Sequence, residues 1–180
     1  MSLNLNKWGA TLALLLLGAA FWAPRLNAVT LKELRDDAKL TPETLMHRFA
    51  NFKFRLSDEV QPRNIFLASQ TGDCDDFATL AADVLREKGY GAHLIAVFME
   101  RQVHVVCYVA EATAYLDYNN RKKASPLVST NGRLPDMADQ VAQSFRSTWS
   151  CVMEYTFQNG LRHPVATEFR QKSPHTAKPA

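Results

Sequence analysis

The chain has 180 residues, a length that suits one domain. Apolar residues make up 47% and charged residues 22%, which excludes a disordered or fibrous chain. The net charge of +3 falls to +1 without residues 1–28, which carry Lys7 and Arg25 and no acid; this excludes a nucleic acid as the main partner, because neutralising many phosphates needs a dense basic face.

Trp8 to Ala23 (WGATLALLLLGAAFWA) is an uncharged apolar run preceded by Lys7. It is short for a membrane span, which takes roughly 18–20 residues, and near the upper limit of a secretory core of about 7–15. Pro24 argues against cleavage directly after Ala23, while Leu26-Asn27-Ala28 offers a small residue at the cut. Residues 1–28 read first as a cleaved signal peptide, then as an uncleaved anchor through residues 8–23, and last as a buried core helix. The first two place the domain outside the cytoplasm, periplasmic or secreted, with a tether to the inner membrane in the anchored case.

Thr30 to Leu40 predicts a short charged helix. Thr41-Pro42-Glu43 starts the next, with a threonine N-cap and proline at the first helical position. Leu45, Met46, Phe49 and Ala50 form its apolar stripe. Asp58 to Asn64 holds Pro62 and reads as a loop, and Ile65-Phe66-Leu67 is a short apolar stretch leading into Thr71-Gly72-Asp73. Phe77, Leu80, Ala81, Val84 and Leu85 mark one unbroken helical face, closed by Gly89. The start of that helix at Asp73 to Asp75 puts Cys74 in its first turn.

Strands are expected over Ala92–Phe98, Val103–Ala110 and Ala114–Tyr118, with short polar links that make hairpins. Ser125 to Asp136 reads as a loop, Met137 to Phe145 as a helix, Trp149 to Phe157 as a last apolar strand and Asn159-Gly160 as a turn. Gln171 to Ala180 reads as a frayed tail. A helical half followed by an antiparallel half predicts an α+β domain over residues 29–170.

The chemistry centres on Cys74. A thiol is nucleophilic as its thiolate, and a helix N-terminus favours that form. Gly72, just before, lets the backbone turn tightly. Asp73, Asp75 and Asp76 suit the helix terminus but oppose a thiolate, so an imidazolium or a bound cation must offset them. His104 opens the strand Val103-His104-Val105-Val106-Cys107; with period-two alternation it shares a face with Val106, and on the face packed against the Cys74 helix its ring can reach the thiol. Asp117, polar in an otherwise apolar strand, can lie beside His104 if the two strands pair, orienting the imidazole and stabilising its protonated form. Asn119 and Asn120 lie close by, and an amide can serve the same purpose.

Gly72-Asp73-Cys74-Asp75-Asp76-Phe77-Ala78, then His104 in its apolar strand, then Leu116-Asp117-Tyr118-Asn119, resembles the transglutaminase-like superfamily, and within it the bacterial transglutaminase-like cysteine peptidases. The resemblance spans roughly Ile65 to Asn120. It implies a papain-like core with Cys74 as nucleophile, His104 as base and Asp117 as orienter. Asp75 stands where the peptidase pattern has Glu. Some of those peptidases bind calcium through acids flanking the nucleophile, which makes Asp73 and Asp75 candidate calcium ligands here; no other cofactor is implied.

Other residues carry competing readings. Gln70 is an oxyanion-donor candidate alongside the Cys74 amide, or a solvated loop glutamine. The three aspartates either complement the helix terminus or hold a hard cation. Cys107 and Cys151 can pair in an oxidising compartment and leave Cys74 free. Arg121-Lys122-Lys123 reads as a solvated loop that can attract an acidic segment. His47, His93, His163 and His175 have no visible partner, and no spacing supports zinc. The expected activity is amide-bond hydrolysis on a protein or peptide substrate; transamidation by the same triad and a non-catalytic binding module of the same fold are the alternatives.

Overall fold

The computed structural model describes residues 29–158 and 160–171. The apolar run at 8–23 and the tail from 172 lie outside the described residues, and among these no helix is long and apolar enough to cross a membrane.

The helical half begins with two capped helices. In α1 (Leu31–Asp36) the Thr30 side chain accepts the Glu33 N–H while the Glu33 carboxylate reaches back to the Thr30 N–H. In α2 (Pro42–Arg48) Thr41 and Thr44 repeat the exchange. Pro42 takes the first helical position, where an N–H would go unused. The short strand β1 (Lys53–Phe54) follows. The stretch around Ile65 is then a helix, α3 (Arg63–Ser69), with Phe66 and Leu67 buried and Ile65 facing outward. Two helical turns offer too few repeats to separate this pattern from any other short apolar run. Strand β2 (Thr71–Gly72) pairs in parallel with β1, and α4 runs from Cys74 to Glu87. Gly89, at φ 88°, ends it in the left-handed conformation that a side chain disfavours.

The sheet is antiparallel at every pairing, in the order β6-β5-β4-β3-β7-β8. Its strands are β3 (Ala92–Met99), β4 (Val103–Val109), β5 (Ala114–Leu116), β6 (Leu127–Ser129), β7 (Trp149–Gln158) and β8 (Leu161–Phe169). Helix α5 (Leu134–Ser144) precedes β7. Alternation divides the core in two. Leu94, Ala96, Val105 and Cys107 face the cluster built by α1 to α4, while Ile95, Val97 and Val106 face the cluster built by Met137, Ala138 and Val141 of α5. The central β3 is covered on both sides, which is why it reads as a nearly continuous apolar run.

The α+β expectation holds; α1 stops at Asp36, short of the expected Leu40, and the C-terminal half carries three corrections. The loop at 125–136 contains β6 and the first turn of α5; Pro135 belongs to that turn, where its missing N–H costs nothing. Tyr118 leaves β5 for a 3-10 turn, Tyr118–Asn120. The strand β7 is not the last. The edge strand β8 pairs with it along its length, yet all nine of its residues are exposed, so no buried alternation announces it. Pro164 is tolerated there as sheets tolerate proline at an edge.

Candidate active site

Cys74 is the first residue of α4, and the acids around it hold that helix start in place. Asp73 is the N-cap: its Oδ1 accepts the N–H groups of Asp75 (3.0 Å) and Asp76 (3.4 Å), and its Oδ2 accepts the Ser57 N–H at 2.9 Å. Asp76 returns the favour by accepting the Asp73 N–H at 3.1 Å. It also accepts the main-chain and side-chain N–H groups of Gln61, both at 2.6 Å. Both carboxylates are buried, and both tie the 57–61 loop to the helix. The N–H of Cys74 itself has no acceptor among the described residues.

Gly72 is required here for space, not for a turn. Its backbone is outside the left-handed region, but a Cβ at this position would lie 2.6 Å from Phe66 Cδ2 and would press on the Asp76 carboxylate.

His104 is the second residue of β4, only 4% exposed. Its Nε2 lies 2.9 Å from Asp117 Oδ1, and the same oxygen accepts the Asn119 N–H at 2.9 Å. Asp117 follows β5 directly, and because β4 and β5 pair antiparallel it falls on the diagonal from His104. Asn119 therefore serves the acid with its backbone instead of replacing it. With Nε2 committed to Asp117, the other ring nitrogen is left for the Cys74 thiol. Burial alone would push the His104 pKa down, but the hydrogen bond to Asp117, the nearness of Cys74 and the charges of both outweigh it and raise it to about 10.

The route to this meeting differs from the expected one. Val105 and Cys107 pack against α4, whereas Val106 packs against α5. The His104 ring meets Phe145, at the end of α5, edge-on at 4.8 Å between centroids. Cys74, first in α4, and His104, second in β4, are near enough for the thiol to raise the ring's pKa, and they approach at the ends of their elements rather than across the packed helix–sheet face.

Asp75 takes a different role from its neighbours. Its Oδ2 pairs with Arg162 of β8, and burial pushes its carboxyl upward against the pull of that guanidinium. Its buried Oδ1 and the buried Tyr155 hydroxyl have no hydrogen-bond partner among the described residues, although the hydroxyl is close enough to Asp75 and Cys74 for both to raise its pKa further above what burial does. The donor set does not fit a calcium ion: Asp73 already faces three N–H groups and Asp75 faces a guanidinium. Among the described residues no cluster of three metal-binding side chains exists.

Gln70 caps α3 in the left-handed region at φ 51°; its carbonyl accepts the Lys53 N–H, and its side chain makes no hydrogen bond among the described residues. Cys107 and Cys151 are free thiols. They lie opposite Leu94 and Phe98 on the two sides of β3, four residues apart along it, beyond the reach of a disulfide. Burial pushes the Cys107 thiol up to about 12 and raises that of Cys151.

Arg121 is a correction. It is 8% exposed rather than solvated, donating to the carbonyls of Phe52 and Tyr118 and lying 4.0 Å over the Tyr118 ring. Lys122 and Lys123 are exposed. His93, which has no partner legible in the sequence, pairs with Glu154 at 2.7 Å, and His175 lies outside the described residues. Phe145 and Arg162 are the site neighbours the sequence did not flag: the first closes a helix that read as core, and the second sits on the strand that exposure concealed.

In comparison with known proteins, no family model matches the chain, and no curated protein matches it.

Proposed function

We propose that the protein is a thiol-dependent amide hydrolase, a cysteine peptidase acting through Cys74, His104 and Asp117. The observation that carries this reading is the buried His104 ring bonded to Asp117 at one nitrogen and held protonated to about pH 10 by Asp117 and Cys74. An imidazolium beside a thiol favours the thiolate, and here it stands against the acids at the helix start. In the proposed reaction the Cys74 sulfur adds to the amide carbonyl, forming a carbon–sulfur bond. The oxyanion takes the unengaged Cys74 N–H, with Gln70 as the second candidate donor. His104 gives its proton to the leaving amine as the carbon–nitrogen bond breaks, leaving a thioester. Neutral His104 then takes a proton from water, whose hydroxyl displaces the sulfur and releases the acid.

The reading includes a papain-like, transglutaminase-type core. It is supported by a helix that starts at the nucleophile, packed on an antiparallel sheet that carries the imidazole and the carboxylate. Action outside the cytoplasm belongs to the same proposal and rests on the apolar run at 8–23.

Iodoacetamide labelling tests it. Cys74 should react selectively below neutral pH, since Cys107 is buried and Cys151 is raised by burial. The Cys74→Ser variant should lose both this labelling and peptide hydrolysis. Labelling that begins only above about pH 8, as for an ordinary thiol, would favour the binding module.

A further inference from the structure

A cavity of about 550 Å³ opens between the β3–β4 turn and the turn from α5 into β7. The β3–β4 turn supplies Glu100, Arg101 and Gln102 to its wall, and the turn from α5 into β7 supplies Phe145, Arg146 and Thr148. Phe145 is the ring that meets His104 edge-on, so the cavity adjoins the triad through a shared side chain. Arg146, at φ 51°, is the left-handed residue that ends α5, its N–H and that of Ser147 bonded to the Gln143 and Ala142 carbonyls, and this cap places it on the cavity wall. Arg101 and Arg146 are both exposed, and neither these two nor Glu100 makes an ion pair among the described residues. Two uncommitted guanidiniums against one carboxylate leave the cavity net positive. Guanidinium forks match carboxylate oxygens in pairs.

We propose that this cavity is a substrate subsite that takes an acidic side chain near the scissile bond, making Asp- or Glu-bearing peptides the substrate class. The inference rests on the peptidase reading for the scissile bond, while the charge preference of the cavity stands independently of it. The test begins with a proteome-derived peptide library and mass spectrometry of the cut ends. Acidic residues should be enriched at one fixed position within three residues of the cut. Matched Glu and Gln peptides made from the best sequence should differ about tenfold or more in kcat/KM, the worth of one charged hydrogen-bond pair. The difference should lie mainly in KM. Arg101→Glu/Arg146→Glu should reverse the preference toward Lys-bearing peptides, an outcome that mere loss of structure cannot produce. No acidic enrichment, or a preference that survives the reversal, overturns the subsite.

If the wild-type protein cuts nothing, the peptidase reading fails, and the cavity is judged by calorimetry on Cys74→Ser protein. A hexapeptide of alternating Glu and Ala should then bind at least tenfold more tightly than its Gln counterpart, with the difference abolished by Arg101→Glu/Arg146→Glu. Equal binding of the two peptides overturns the inference.

Discussion

The His104 end of the sheet and its outer edge are built on opposite terms. Around Cys74 three acids are engaged: Asp73 and Asp76 are buried and spend their oxygens on N–H groups of the 57–61 loop and the helix start, and Asp117 serves His104 and Asn119 with one oxygen. At β8 nine consecutive residues are exposed, with Leu161, Val165 and Phe169 more than half so. Among the described residues the ladder to β7, the Arg162–Asp75 pair and the Arg162 guanidinium over the Tyr155 ring hold that strand to the rest. A buried carboxylate stripped of its donors costs heavily, whereas an exposed side chain has little to lose. Rigidity is thus concentrated where the thiol and the ring must meet.

Asp117→Asn should break the first region most severely. It keeps the shape but removes the charge that holds the protonated ring, and kcat should fall about a thousandfold or more, on the precedent of a triad acid changed to its amide. The same variant should also change the pH dependence of stability. The His104 pKa is raised from 6.5 to about 10, so the stability it contributes is full below about pH 6.5 and is lost as pH rises toward 10. Melting temperature measured from pH 6 to 10 should therefore fall in the wild type along this limb. The fall should be smaller in Asp117→Asn, and parallel curves would show that the ring's proton is not held by that acid.

Asp76→Ala comes next. It strands the N–H groups of Gln61 and Asp73, and urea unfolding should show a loss of about 3 kcal/mol, the sum of a lost cap and unsatisfied buried donors. A loss under 1 kcal/mol would mean that the loop and the helix start are independent. The smallest effect belongs to the edge. Leu161→Lys and Phe169→Lys should each change stability by no more than about 0.5 kcal/mol in the same assay. A loss like that at Asp76 would erase the contrast between the two regions.

What the sequence disclosed follows the same division. The Thr41 cap, the start of α4 at Asp73 to Asp75, the α4 face and the β3–β4 hairpin were legible because each is written in neighbours three or four residues apart, or in strict alternation. The triad partners were legible as chemistry: a histidine and an aspartate in apolar strands demand a partner. The face that His104 adopts was not, because alternation gives only relative sides and the meeting occurs at element ends. Arg121 was misread because its neighbours Lys122 and Lys123 are solvated, and its acceptors, the Phe52 and Tyr118 carbonyls, are main-chain atoms that leave no mark in composition. The strand β8 escaped because an edge with no buried face carries no periodic signal.

The 3-10 turn after Asp117 carries a consequence in time. Tyr118 donates its hydroxyl to the Lys53 carbonyl at 3.1 Å, and Arg121 reaches the Phe52 carbonyl. The turn that sets the acid is thus pinned to a segment more than sixty residues earlier in the chain. Local order in α4 and the hairpin needs no such closure, whereas the 3-10 turn that follows Asp117 is anchored by it. A chain whose two halves have not yet joined owns a sulfur and a ring but no working pair. On the proposed chemistry, reactivity would arrive only with that last long-range contact.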